Sequence, residues 1–197
     1  FNLFLRIAAT NVGQLTNIAS MASDVGVTAK TLRAWLSILE QSYIVFLLQP
    51  YFVNSRKRLV KTPKLYFYDT GLLCHLLSSG PTSEMERSGT LGQVFENAVI
   101  SELYKRHMNQ GKAADLYFYR DSNGVEVDLL DATVPSMPEL CEIKSSRTFR
   151  GSFMRHLDSV GDLLGVGPER RSVIMRSDRT TELNGSKIWA AEDWAKR

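Results

Sequence analysis

The sequence predicts a mixed chain, α+β at its start and α/β after, divided into residues 1–80 and residues 88–197. Three observations predict it. Apolar residues recur at steps of three and four in several separated segments. Short runs rich in β-branched and aromatic residues stand between them. A stretch of small residues and turn formers, Ser78–Ser83, separates the early elements from the later ones. A hydrophobic content of 44% over 197 residues supplies one large core or two small ones.

The first nine residues, Phe1 to Ala9, read as an amphipathic helix entered midway, so the sequence is expected to continue a longer chain. Leu15, Ile18 and Ala19 share one side of a short helix. Asp24-Val-Gly-Val-Thr28 then makes a turn, and Thr28 caps a second helix with Leu32, Trp35, Leu36 and Leu39 on its apolar side. This spacing reads as a helix-turn-helix. The opposite side presents Lys30, Arg33, Ser37 and Gln41, with the cations near the helix start, where a recognition helix touches nucleic acid.

Tyr43–Leu48 and Lys64–Tyr68 read as strands joined by a basic span, the hairpin that makes a helix-turn-helix winged. No acidic residue lies between Glu40 and Asp69, while Arg56, Lys57, Arg58, Lys61 and Lys64 fall there. The nucleic-acid-binding set expected from this part is Lys30, Arg33, Arg56, Lys57, Arg58 and Lys61, with DNA as the partner, since each cation on a phosphate releases counterions. An acidic protein partner is the alternative.

In the second part, Leu91–Arg106 reads as a helix whose stripe holds Gly92, Phe95, Val99, Ile100 and Leu103, with Glu96 inside it. Leu116–Arg120 and Val125–Leu130 flank Asp121-Ser-Asn-Gly124 and form a hairpin. Glu139–Lys144 follows as a third strand, with Leu140, Glu142 and Lys144 on one face and Cys141 and Ile143 on the other. A register with Leu130 opposite Leu140 puts Asp128 opposite Glu142. At roughly 5 Å and an effective dielectric near 20, those charges repel by about 3 kcal/mol. A hard divalent cation, Mg2+ or Mn2+, removes that penalty, and so does an ion-pair network with Lys144. The cation leads to phosphodiester hydrolysis, with Lys144 orienting a nucleophile or stabilising charge.

Helix-Glu96, hairpin-Asp128 and Glu142-Ile143-Lys144 resemble the PD-(D/E)xK nuclease core, which has a central mixed sheet flanked by helices. Gly92-Gln-Val-Phe-Glu-Asn97, Tyr119-Arg-Asp121, Glu126-Val-Asp128, Glu142-Ile-Lys144 and the upstream Pro63–Leu72 are similar to the C-terminal region of prokaryotic AAA-type ATPases, catalogued as domain of unknown function 4143. The resemblance implies metal-binding roles for Asp128, Glu142 and Glu96 and catalytic roles for Lys144 and Glu96. It also implies an upstream ATPase domain, where ATP would bind. Gly26-Val-Thr-Ala-Lys-Thr31 has Ala29 where a phosphate loop needs glycine, so this chain alone is not expected to hydrolyse ATP. A non-catalytic protein-interaction or regulatory module coupled to that ATPase stays open beside the nuclease reading.

Beyond Lys144, Phe149–Leu164 reads as a helix, Ser172–Met175 as a buried strand and Lys187–Trp189 as another. Trp189 and Trp194 read as packing anchors. Cys74 and Cys141 give no disulfide framework, and no apolar run spans a bilayer, so a cytoplasmic protein without a membrane partner is expected. His75, His107 and His156 lack ligand spacing. A net charge of +3 suits nucleic acid without requiring it. The oligomeric state is not legible.

Overall fold

A computed structural model describes residues 1–52 and 60–196. The chain is a mixed α/β protein that divides into two compact units, one of residues 1–49 and 62–105, the other of residues 50–61 and 106–197.

The first unit opens with α1 (Asn2–Thr10), α2 (Ile18–Val25) and α3 (Ala29–Gln41). Asn17 caps α2 by accepting the Ser20 N–H, and Gly26 closes it at φ 78°. Thr28 caps α3 by accepting the Thr31 N–H at 3.1 Å. Leu32, Leu36 and Leu39 of α3 are buried, as the sequence predicts, and Trp35 packs edge-on against Phe1. Strands β1 (Val45–Pro50) and β2 (Lys64–Phe67) pair antiparallel, Val45 opposite Phe67. Helices α4 (Thr70–Leu76) and α5 (Thr82–Ser88) follow, and α6 (Leu91–Asn109) gives this unit its residues up to Lys105.

Two expectations change here. Ser78–Ser83 is expected to be a linker, yet α5 starts at Thr82, with no residue of that helix buried. The helix carrying Glu96 is expected in the second part, yet most of α6 packs in the first unit. The reason is Asn97, fully buried, which accepts the Phe67 N–H at 2.8 Å and donates to the Phe67 carbonyl and Thr70 Oγ1, both at 3.1 Å. Val94, Asn97 and Ser101 are buried beside Val99 and Ile100, while Gly92 is exposed, so the buried side is wider than the predicted stripe.

The second unit is built on a mixed sheet. Its strands are β3 (Leu116–Arg120), β4 (Glu126–Asp131), β5 (Glu139–Lys144), β6 (Arg171–Met175), β7 (Thr181–Leu183) and β8 (Ser186–Ala190). They lie in the order β3-β4-β5-β6-β8-β7. β3–β4–β5 is antiparallel, β5–β6–β8 parallel, and β7 returns antiparallel on β8. The parallel β5–β6 step needs a crossover, supplied by α7 (Met154–Leu164). Leu157 and Val160 of α7 pack on Leu130, Leu140 and Val173. Arg171 is buried between Asp162 at 2.6 Å and Asp158 at 3.2 Å, and a Cβ on Gly161 would collide with its guanidinium. Short α8 (Ala191–Ala195) buries Trp194 under the Arg106 guanidinium, 4.7 Å from the ring centroid.

Candidate functional site

Strand geometry brings Asp128, Glu142 and Lys144 together. On β3, Tyr117 faces Leu130 and Tyr119 faces Val127, two steps on one strand against three on the other. Phe118 therefore opposes both Asp128 and Leu129, a β-bulge that re-aims Asp128. Toward β5 the ladder runs Asp131–Glu139, Leu130–Leu140, Leu129–Cys141, with the Leu130–Leu140 register expected from the sequence. At the next step the Asp128 side chain turns in, and its Oδ2 accepts the Ile143 N–H at 2.8 Å.

Lys144 Nζ lies 2.5 Å from Glu142 Oε1 and 3.4 Å from Asp128 Oδ2. Both carboxylate residues are less than a tenth exposed, while a third of the Lys144 side chain reaches solvent. The other Glu142 oxygen, Oε2, is buried with no hydrogen-bond partner. Burial, reinforced by Asp128 and by Glu126, pushes the Glu142 carboxyl up to about 8 against the pull of Lys144. Burial works against the Lys144 charge, but the two carboxylates overcome it and hold the amine above its ordinary value. Glu126 itself pairs with Arg120 at 3.1 Å.

Glu96 sits in the first unit, where Tyr66 donates its hydroxyl to Oε1 at 2.5 Å and Lys64 Nζ is 3.5 Å from the same oxygen. Lys64, expected among the basic hairpin residues, is 3% exposed and thus belongs to this buried group. Among the described residues no group of three or more His, Cys, Asp or Glu is placed to hold a metal ion. The second unit thus joins two of the three expected carboxylates. His107 pairs with Asp131 at 2.8 Å, and the His156 Nδ1 lies 3.1 Å from the Glu126 carbonyl oxygen, so two histidines have polar partners the sequence does not reveal. Burial raises the Cys141 thiol far above its ordinary value, leaving it unreactive.

Residues 91–194, more than half of the chain, match the family model described as Domain of unknown function (DUF4143). The chain belongs to the DUF4143 family. Its residues 1–83 match a second model, Domain of unknown function (DUF8612). The DUF4143 chain is similar to the uncharacterized protein Mb2031c of Mycobacterium bovis and the uncharacterized protein Rv2008c of Mycobacterium tuberculosis. Each is 33% identical over 136 residues, 69% of this chain and 30% of the relative. The chain thus spans less than a third of the length of these curated relatives. No solved structure matches it at a significant level.

Of the basic residues expected to meet nucleic acid, Lys30 and Arg33 are exposed on α3 of this DUF4143 chain, and Lys61 is exposed ahead of β2. Arg56, Lys57 and Arg58 lie outside the described residues. The sequence reading passes over a second basic stretch. Residues 143–157 contain Lys144, Arg147, Arg150 and Arg155 and no acid, the same signal that marks residues 41–68. Among the described residues, no helix is long and apolar enough to cross a membrane.

The Glu142 environment sets a pH dependence in metal-free DUF4143 protein. Its folded pKa, about 8, lies above the ordinary 4.5, so the folded state holds this proton more tightly. The stability it contributes is full below pH 4.5 and is lost as pH rises through about 8. The slope from this group reaches about 1.4 kcal/mol per pH unit at most. Glu142→Gln, neutral throughout, is expected to flatten that slope in urea unfolding curves recorded with a chelator across this window. An unchanged slope would show that Glu142 stays ionised in the folded protein.

Proposed function

We propose that this chain is a nucleic-acid-binding part of an AAA-type ATPase and that its second unit is a nuclease-like domain of PD-(D/E)xK type. Asp128, Glu142 and Lys144 would serve cation-assisted phosphodiester cleavage. The observation that carries the reading is the buried Glu142 Oε2 without a partner, beside a second carboxylate and an amine. Two carboxylates fit magnesium or manganese, hard ions that keep several waters and take other ligands from substrate phosphate. When bound, the cation polarises a phosphoryl oxygen and acidifies a bound water. Asp128 and Glu142 would hold it. Lys144, a third exposed and raised in pKa, stays protonated and would neutralise charge growing on the phosphate. Glu96, expected to support the cation, is fastened by Tyr66 and Lys64 within the first unit.

DNA contact by the first unit rests on a winged helix-turn-helix reading of α2, α3 and the β1–β2 hairpin, with Lys30 and Arg33 exposed near the start of α3. A second reading has its own support. Lys144 at 2.5 Å from Glu142 closes the charge pair internally, as an ion-pair clasp in a protein-interaction module would.

One experiment separates the two. Purified protein is incubated with supercoiled and branched DNA in Mg2+ or Mn2+, while Mn2+ binding is measured by calorimetry. Nicking or linearisation is expected, with Asp128→Asn lowering the rate by roughly 10²-fold or more. Absence of both cleavage and cation binding would leave the interaction module.

A further inference from the structure

The β5–α7 connection carries arginines that the cation site does not use. Lys144 ends β5, and the chain passes through Arg147 and Arg150 to Arg155 in the first turn of α7. All three arginines are exposed, and none forms an ion pair or side-chain hydrogen bond among the described residues. No acid falls between Glu142 and Asp158, so nothing within the segment neutralises them.

The backbone beneath them is fixed. Phe149 and Phe153 pack on the core of the unit and meet edge to face, ring centroids 5.9 Å apart. Ser146 Oγ donates to the Thr148 carbonyl at 2.8 Å and accepts the Thr148 N–H at 3.1 Å. The Ser146 carbonyl also accepts the Arg176 N–H at 3.1 Å, tying the connection to the end of β6. With the aromatic rings turned in, the arginines stand outward on an ordered base, which lowers the entropy lost when they are engaged.

We infer that Arg147, Arg150 and Arg155 form a cradle for the phosphodiester backbone of nucleic acid, leading to the Asp128/Glu142/Lys144 cluster. This rests on the nucleic-acid reading above and names a surface for it on the second unit. Planar guanidinium forks suit phosphate oxygens, and the acid-free run suits a polyanion. A small free anion fits less well. The nearby cavity of about 380 Å³ holds Arg147 and Arg176, but Asp178, Glu192 and Asp193 also line it and repel a solitary phosphate. Arg147 is the arm of the cradle beside these acids, while Arg150 and Arg155 lie outside the cavity lining.

The test compares the wild-type chain with R147A/R150A/R155A, in chelator, for binding to duplex DNA and to single-stranded RNA across a range of salt. With three phosphates no longer neutralised, the slope of log K against log salt on duplex DNA is expected to become shallower by up to about 2.7, and by about 2.1 on the single strand. Affinity near 0.1 M salt is expected to fall roughly 10- to 100-fold. Replacing the same three residues with lysine should restore most of the slope. Thermal unfolding of the alanine variant should match the wild type, because the side chains are exposed. A wild type that binds nucleic acid with a slope unchanged in the variant would overturn the cradle and leave the cation-site reading standing. A wild type that binds no nucleic acid would overturn the cradle, and absence of Mn2+ binding in separate chelator-free calorimetry would overturn the cation-site reading as well. Loss of slope on only one nucleic acid assigns the cradle to that polymer.

Discussion

Lys144→Met is expected to destabilise the second unit by about 2–3 kcal/mol at pH 8–9, and adding Glu142→Gln is expected to recover most of the loss. Removing one partner of a buried charge group typically costs about 3–5 kcal/mol, because the remaining charge is left unsolvated. Here the discount is set by Lys144, whose side chain is a third exposed and partly screened by water. Asp128 and Glu142 would be left as two acids behind one bulge, with only the Ile143 N–H donating to Asp128. Lys144 also holds the Glu142 carboxyl down, so its removal moves that group further above 8. At pH 5 the variant keeps Glu142 neutral and loses less, and at pH 9 it must charge both acids or bind a proton. Urea unfolding of the single and double variants at the two pH values reads this directly. A Lys144→Met loss that does not depend on pH would show that the residue acts through the packing of its aliphatic stem.

The same cluster shows how far sequence reasoning reaches. Alternation along Glu139–Lys144 is a strict period of two, so Glu142 and Lys144 share a face, and the Leu130–Leu140 register follows from matching the apolar positions of two short strands. The hairpin at Asp121–Gly124 and the Thr28 cap are local chemistry and equally readable. The bulge is not, because the extra residue lies on β4, where Asp128 and Leu129 together oppose Phe118, and nothing in the apolar pattern of Val127, Leu129 and Leu130 marks it. Its consequence for Asp128 appears only in three dimensions. The β7–β8 turn carries Asn184-Gly185, a strong hairpin signal, yet Thr181–Leu183 is exposed throughout and offers no apolar alternation to mark a strand.

Glu96 and Asn97 illustrate a different limit. In a helical stripe an acid looks like the exceptional residue and an amide beside it looks incidental. The structure reverses that weighting, since Glu96 is answered by Tyr66 and Lys64 while Asn97 fills an interior position with three hydrogen bonds. Periodicity ranks residues by hydropathy and cannot see that a buried backbone edge left unpaired by the neighbouring strand, here Phe67, waits for an amide.

Asn97→Ala is accordingly expected to destabilise the first unit by about 3–4 kcal/mol. Phe67 is fully buried, and both its N–H and its carbonyl face the Asn97 amide. Truncation strands two buried backbone groups, each at about 1–3 kcal/mol, and opens a small cavity beside them. Water entering that cavity would recover part of the loss, which keeps the total below the sum of the separate terms. Thr70→Val removes only the third bond and leaves Phe67 satisfied, so it is expected to cost under about 1 kcal/mol. Because α6 reaches the first unit through this amide, the Asn97 variant should also lose amide-exchange protection along β2 and Val94–Ser101. Exposed Lys30 and Arg33, on α3, keep their surroundings. Equal losses in the two variants would mean that the Phe67 pair contributes no more than the Thr70 bond, and that the hydrophobic contacts of Val99 and Ile100 alone hold the helix.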